Sequence, residues 1–259
     1  MQHRFEDKRV LVTGASRGIG RAIAERLASE GARVCVHYGH DEEAAQKVLD
    51  GLAGQQEDST RHCLGLADLT DPIAVRELAK RAIQELGGVD VLVNNAGVFF
   101  DHPIDQQDYE EWQESWARTF GVNLFGPANL IHQIVPHMIE AGGGRIINIS
   151  SRGAFRGEPV SPAYGASKAG LNSLSQSLAV ALAPHHIQVM GVAPGFVETE
   201  MTEHMLEGES GDAIRAQSPM NRVAKPEEVA ATVAWLASAE AEFVSGTIID
   251  VNGASYLRS

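Results

Sequence analysis

The sequence predicts a doubly wound α/β fold, a seven-stranded parallel sheet with helices on both faces. Three observations carry that reading. Runs of strand length alternate strictly with stretches whose apolar residues recur at helical spacing. The strand-like runs are apolar nearly throughout, as strands covered on both faces must be. A glycine-rich turn, "TGASRGIG" at 13–20, joins the first strand to the first helix.

Each element has its own signal. "KRVLVTGA" opens as a strand, and "GIGRAIAERLASEG" is a helix stopping at Gly31. "ARVCVHY" is a strand, followed by the helix "DEEAAQKVLDGL" with Asp41 as its N-cap. "RHCLGLADL" is a strand, and "DPIAVRELAKRAIQELG" a helix with Asp71 as cap and Pro72 at its first position. "VDVLVNNAG" is a strand that ends in polar residues, with a long helical region from about Asp108 to Ala141 behind it. "GRIINIS" is the fifth strand, and "SPAYGASKAG" begins a helix running to about Ala183. "IQVMGVAPG", the helix "KPEEVAATVAWLAS" and the strand "GTIIDVNG" complete the chain. Seven strands and about six helices use the whole length, so residues 1–259 are expected to form one domain. An eight-fold barrel is the alternative; the strand count falls one short of it, and the glycine turn argues the other way.

Composition narrows the function classes. The hydrophobic content is 44%, ample for a core. The net charge of −13, from 34 acidic against 21 basic residues, opposes binding to nucleic acid or anionic membranes. A single phosphorylated small molecule needs only a local basic pocket. No apolar run approaches the roughly 20 residues that span a bilayer, and "MQHRFEDKRV" lacks a signal-peptide core. Cys35 and Cys63 read as buried free thiols, so a cytoplasmic protein is expected. None of the ten histidines has the helical i,i+4 spacing of a zinc site, there is no C-x-x-C, and no metal is expected.

Two motifs carry chemistry. In Gly14-x-x-x-Gly18-x-Gly20 the glycines permit positive φ and close backbone approach, and the helix N-terminus offers free N–H groups to an anion. The spacing is not G-x-G-x-x-G, yet its place between strand and helix meets the same need of a dinucleotide. Tyr164 and Lys168 lie four apart, on one face of a helix, where a cation favours the phenolate.

With "NNAG" at 94–97, Asn123, Ser151, Y-x-x-x-K at 164–168 and "PG" at 194–195 in the same order, the chain resembles the short-chain dehydrogenase/reductase family from about Lys8 to Gly253. Its members acting on 3-oxoacyl thioesters are the most similar group. The resemblance implies a Rossmann-type domain and hydride transfer between a nicotinamide and a carbonyl or alcohol carbon. It implies Tyr164 as proton donor, its pKa lowered by Lys168 and by the oxidised nicotinamide, and Ser151 as a hydrogen-bond donor to the same oxygen. Ser150 is adjacent, but the thirteen-residue offset to Tyr164 selects Ser151. Lys168 would also bind the nicotinamide ribose, and Asn123 would hold a water that relays protons. The cofactor would further meet Gly14, Ser16, Arg17, Gly18, Ile19 and Gly20 of the turn, and Asp68 and Leu69 at the adenine. Asn95, Ala96 and Gly97 would lie at the adenosine half, and Pro194, Gly195, Val197 and Thr199 at the nicotinamide and pyrophosphate. Asn94 would tie neighbouring strands.

At the end of the second strand an aspartate would select NAD; this chain has Tyr38 there, expected to border the cofactor. Arg17 suits a 2′-phosphate, with His37 or His40 assisting, so NADP(H) is favoured over NAD(H). The substrate, a small carbonyl or alcohol, is expected between the loop after Ser151 and a segment at about 195–222. Arg152, Phe155, Arg156, Glu158, Phe99 and Phe100 read either as substrate contacts or as residues that merely shape their loops, and none is singled out. Trp112 and Trp116 read equally as core or as a subunit contact, and "DVNGA" lacks a second glycine common among relatives. The resemblance implies a homotetramer. Ketone reduction with NADPH leads, oxidation of a sugar or secondary alcohol is second, and a non-catalytic NADP-binding regulator is third. The intact set of Asn123, Ser151, Tyr164 and Lys168 argues against the third.

Overall fold

The computed structural model describes residues 4–53 and 62–258. Seven parallel strands pair in the order β3-β2-β1-β4-β5-β6-β7. They are β1 (Arg9–Val12), β2 (Arg33–Tyr38), β3 (Cys63–Leu66), β4 (Val91–Asn94), β5 (Gly144–Ile149), β6 (Ile187–Pro194) and β7 (Ile248–Val251). Arg61, with which the predicted third strand begins, lies outside the described residues.

Period-two alternation sorts the strand side chains into two cores. Val10, Val12, Val34, Val36, Val91, Val93, Ile147 and Ile149 face one side, under α1 (Gly18–Ser29), α2 (Glu42–Ala53) and α8 (Pro226–Ala237). Leu11, Cys35, Leu92 and Ile146 face the other, under α3 (Pro72–Leu86), α5 (Gly126–Glu140) and α6 (Pro162–Leu182). The expected caps are present: the Ala44 N–H donates to Asp41 Oδ1 (2.9 Å) and the Ile73 N–H to Asp71 Oδ1 (2.8 Å). Among the described residues, no helix is long and apolar enough to cross a membrane.

Three features differ from the sequence expectation. The 108–141 region is two helices, α4 (Tyr109–Phe120) and α5, joined by a π-turn at Gly121–Phe125 that contains Asn123. A short helix, α7 (Gly208–Arg215), stands where a loop was expected; its two glycines hid it. Cys63 is only half-buried because β3 is an edge strand, whereas Cys35 beside it is buried; both are free thiols.

β4, β5 and α6 share a buried polar chain. Asn94 Nδ2 donates to Asn148 Oδ1 (2.8 Å), Asn148 Nδ2 to Ser175 Oγ (2.8 Å), and Ser175 Oγ to the Leu171 carbonyl (2.7 Å). Hydrogen bonds of this kind are directional, so they fix the register of the two strands whose ends carry the site. Replacing Asn148 by alanine strands a donor on Asn94 and an acceptor on Ser175. Urea unfolding of Asn148→Ala is expected to show a loss of about 1–3 kcal/mol.

Candidate active site

Parallel strands point all their C-terminal ends the same way, and the winding reverses between β1 and β4. Such a switch point leaves a crevice. A cleft of about 910 Å³ lies there, walled by the residues that follow the strands. Gly14, Ser16, Arg17, Gly18, Ile19 and Gly20 line it after β1, and Asp68 and Leu69 after β3. Asn95, Ala96 and Gly97 follow β4, Ser151 follows β5, and Pro194, Gly195, Val197 and Thr199 come from the end of β6 and beyond. Tyr164 and Lys168 enter from α6.

The glycine turn is held from behind. Thr13 Oγ1 accepts from the N–H groups of Asn95 (2.9 Å) and Ala96 (3.0 Å), and Asn95 Nδ2 donates to the carbonyls of Thr13 (2.9 Å) and Gly14 (3.1 Å). Gly14 has φ +61°, and a Cβ there would come within 2.9 Å of Ala96 Cα. At Gly20 a Cβ would run into the Gly14 carbonyl. The backbone floor and free helix N-terminus suit a pyrophosphate, which needs close backbone approach. Arg17 reaches across the mouth to Glu200 (3.3 Å), an exposed pair that an anion would readily displace.

The end of β2 corrects two expectations. Tyr38 is buried in the core beneath α2 and does not line the cleft; Gly39 and His40 do. Alternation along the strand turns Tyr38 to the helix side. His37 lines the cleft but is locked: its Nδ1 accepts from the Gly14 N–H (2.9 Å) and its Nε2 donates to the Ala67 carbonyl (3.1 Å). Burial pushes its pKa down to about 4, so it is a neutral strut and not a phosphate-binding cation.

At the other end, α6 begins under His102, whose Nε2 accepts from the Ala163 N–H (3.0 Å) while Nδ1 donates to the Phe100 carbonyl (2.7 Å). No local pattern points to this anchor, since His102 lies in a loop far from α6 in the chain. Tyr164 follows directly, its ring meeting Phe99 edge-on (5.0 Å) and its hydroxyl near that of Ser151, whose Oγ accepts from the Gly153 N–H (3.0 Å). Lys168, one turn on, is buried and donates from Nζ to the Ile149 carbonyl (2.8 Å), 5.8 Å from the Tyr164 ring centre. Ser150 also lines the cleft, its hydroxyl committed to the Lys168 carbonyl (3.3 Å).

The electrostatics differ from expectation. Burial raises the Tyr164 pKa; the nearby Ser151 hydroxyl lowers it by less, and Glu158 adds to the rise. Desolvation brings the Lys168 pKa down to about 8. Asn123 is fully buried and does not line the cleft. Its Oδ1 accepts from the Val98 N–H (2.9 Å), and its Nδ2 donates to the Val98 carbonyl (3.0 Å) and Ser167 Oγ (3.2 Å). Asp68 Oδ1 is engaged by the Thr70 N–H and hydroxyl (both 2.8 Å), which hold the carboxyl below its usual range. Arg118, from α4, also lines the cleft and lies over the Phe100 ring (4.8 Å); nothing local in the sequence points to it.

The His37 shift is a stability statement. Its folded pKa lies below the unfolded value of about 6.5, so the unfolded state binds the extra proton and stability falls as pH drops from about 6.5 towards 4. The loss expected from this residue is about 3 kcal/mol. Urea denaturation from pH 7 to 4 is expected to show a shallower fall in His37→Gln than in the wild type.

Comparison with known proteins agrees with this geometry. Residues 14–254 match the family model described as Enoyl-(Acyl carrier protein) reductase. The chain is 38% identical over 250 residues to the 3-oxoacyl-[acyl-carrier-protein] reductase FabG of Staphylococcus aureus, covering 96% of this chain and 98% of that one. A crystal structure of a short chain dehydrogenase from Burkholderia cenocepacia J2315 in complex with NADP is similar with a TM-score of 0.88 at 35% identity, covering 97% of this chain and 99% of that one. A Brucella melitensis structure described as "Short-chain dehydrogenase/reductase SDR:Glucose/ribitol dehydrogenase" has a TM-score of 0.89 at 32% identity over 100% of both chains. The chain belongs to the short-chain dehydrogenase/reductase family of NAD(P)-dependent oxidoreductases acting on CH–OH and C=O groups, and it is closely related to the 3-oxoacyl-acyl-carrier-protein reductases.

Proposed function

We propose that the protein reduces a ketone to an alcohol with NADPH, the substrate being a 3-oxoacyl thioester or another small ketone. The observation that carries this reading is the joining of Ser151, Tyr164 and Lys168 at the end of a cleft floored by the glycine turn. Gly14, Ser16, Gly18, Ile19 and Gly20 would hold the pyrophosphate, and Arg17 with His40 the 2′-phosphate. Asp68 and Leu69 would meet the adenine, with Asn95, Ala96 and Gly97 shaping the floor. Pro194, Gly195, Val197, Thr199 and Lys168 would border the nicotinamide riboside. When bound, the cofactor supplies the hydride.

Tyr164 is the proton donor in this proposal. Burial keeps the proton on the phenol at neutral pH, which is the form that reduction requires. Ser151 orients the phenol and donates to the developing alkoxide. Lys168 places a cation beside the tyrosinate that forms, and its pKa of about 8 lets it pass a proton on near neutrality. The side chain of Asn123 is committed to Val98 and Ser167, so its share in a proton relay is to hold the π-turn, with a water held by backbone. Segment 195–222 covers the substrate. The relationship to 3-oxoacyl reductases supports the thioester, and the NADP held by the Burkholderia protein supports the cofactor. The likeness to a protein described as a glucose/ribitol dehydrogenase favours alcohol oxidation as the second reading. The apolar Val180 and Phe243, both largely exposed, suit the subunit contacts of a homotetramer.

NADPH oxidation with an acetoacetyl thioester is expected in the wild type and to fall about 10²–10⁴-fold in Tyr164→Phe, the usual worth of a positioned acid. Turnover surviving that substitution contradicts the assigned acid. Wild-type turnover of a sugar alcohol with NADP⁺ but of no ketone favours the second reading.

A further inference from the structure

A second cavity, of about 190 Å³, is lined by Arg152 and Phe196, the residues that follow the cleft-lining Ser151 and Gly195 in the chain. Its apolar walls include Phe196, Ile214, Met220 and Val251. Four charged side chains line it: Arg152, Arg222, Glu228 and Asp250. Three have ionic partners. Both Arg222 amino groups donate to Glu228 (2.7 Å each), and Arg258 donates to Asp250 (2.7 Å). Arg152 is 5% exposed, and among the described residues no carboxylate lies at ion-pair distance from it. Its Nη1 donates to Ser255 Oγ (2.8 Å), and its guanidinium lies over the Phe196 ring (5.3 Å). Glu158 and Arg156 influence it from farther away and with opposite sign.

A buried guanidinium stays protonated, so its desolvation calls for an anion. Its planar fork matches a carboxylate, and the Phe196 and Ser255 contacts hold that fork in place. Resting on the reading of the cleft as a carbonyl-reducing site, we infer that the cavity takes the carboxylate of the substrate, which selects an oxo acid (as product, a hydroxy acid) from the small ketones of that reading over the thioester. Arg152 pairs with the carboxylate, and the apolar walls enclose the short carbon chain that leads to the carbonyl at Tyr164 and Ser151. The neighbouring Arg156 is exposed and takes no part.

The test compares acetoacetate, 4-oxopentanoate and 5-oxohexanoate with their methyl esters, in the wild type, Arg152→Gln and Arg152→Lys. The expected wild-type preference for at least one acid over its ester is about 10- to 100-fold in kcat/KM, as for a hydrogen bond to a charged group. That preference collapses in Arg152→Gln and is partly restored in Arg152→Lys. A second arm needs no turnover: glutarate at millimolar concentration raises the Tm of the wild type and not that of Arg152→Gln. Equal use of acid and ester by the wild type, or an Arg152→Gln loss shared equally by both, overturns the inference and leaves Arg152 as a tie to the C-terminal segment. Esters reduced without acid preference leave ketone reduction standing. If neither acid nor ester is reduced, that reading of the cleft fails here, and the glutarate shift alone decides whether the cavity binds a carboxylate. Should Arg152→Gln fail to fold, the wild-type acid-to-ester ratio and Arg152→Lys carry the same decision.

Discussion

A cation buried in a fold must be given a partner, and in this protein that partner is a strand end. The Lys168 ammonium is buried and donates to the Ile149 carbonyl, the last residue of β5. That bond pins α6 to the sheet at the point where the cleft turns from backbone to side-chain chemistry. Ser151 stands two residues beyond Ile149 and Tyr164 one helical turn before Lys168, so fixing one bond brings both hydroxyls together. The Asn94–Asn148–Ser175 chain and the His102 anchor at the start of α6 hold the two elements at the same angle from further away. Desolvation shifts the lysine and the tyrosine in opposite directions, each towards its neutral form.

The opposite end of the cleft uses little charge. Its floor is backbone, exposed because glycines stand at 14, 18 and 20, and it is braced by Thr13, Asn95 and a neutral His37. The two ends thus divide the work: a preformed backbone cradle for a dinucleotide, and a dry corner with three titratable or hydroxyl groups for proton transfer. Fixed strand ends set the separation between them.

The strands, their parallel order and most of the cleft were legible because they depend on local pattern. Apolar runs, the Asp41 and Asp71 caps and the glycine turn each state their structure within a few residues. Alternation along β2 turns Tyr38 inward, and the family position obscured that. Arg118 and His102 escaped notice since each acts across a long stretch of chain. The electrostatics were the least legible part. A cation four residues away argued for a lowered tyrosine pKa, whereas burial, which only tertiary structure sets, moves it up. Arg152 and Arg156 look alike in "RGAFRGEP"; only packing separates a buried cation from an exposed one.

The central claim is that Lys168 is a desolvated ammonium held by one strand-end carbonyl. Its pKa can be read directly from the Cε resonances of ¹³C-labelled lysine across a pH titration, the Lys168 signal being assigned by its loss in Lys168→Met. The account predicts a midpoint near 8, well below the ordinary lysine value of about 10.4. A midpoint at or above that ordinary value would mean that the ammonium is solvated, and would contradict the account.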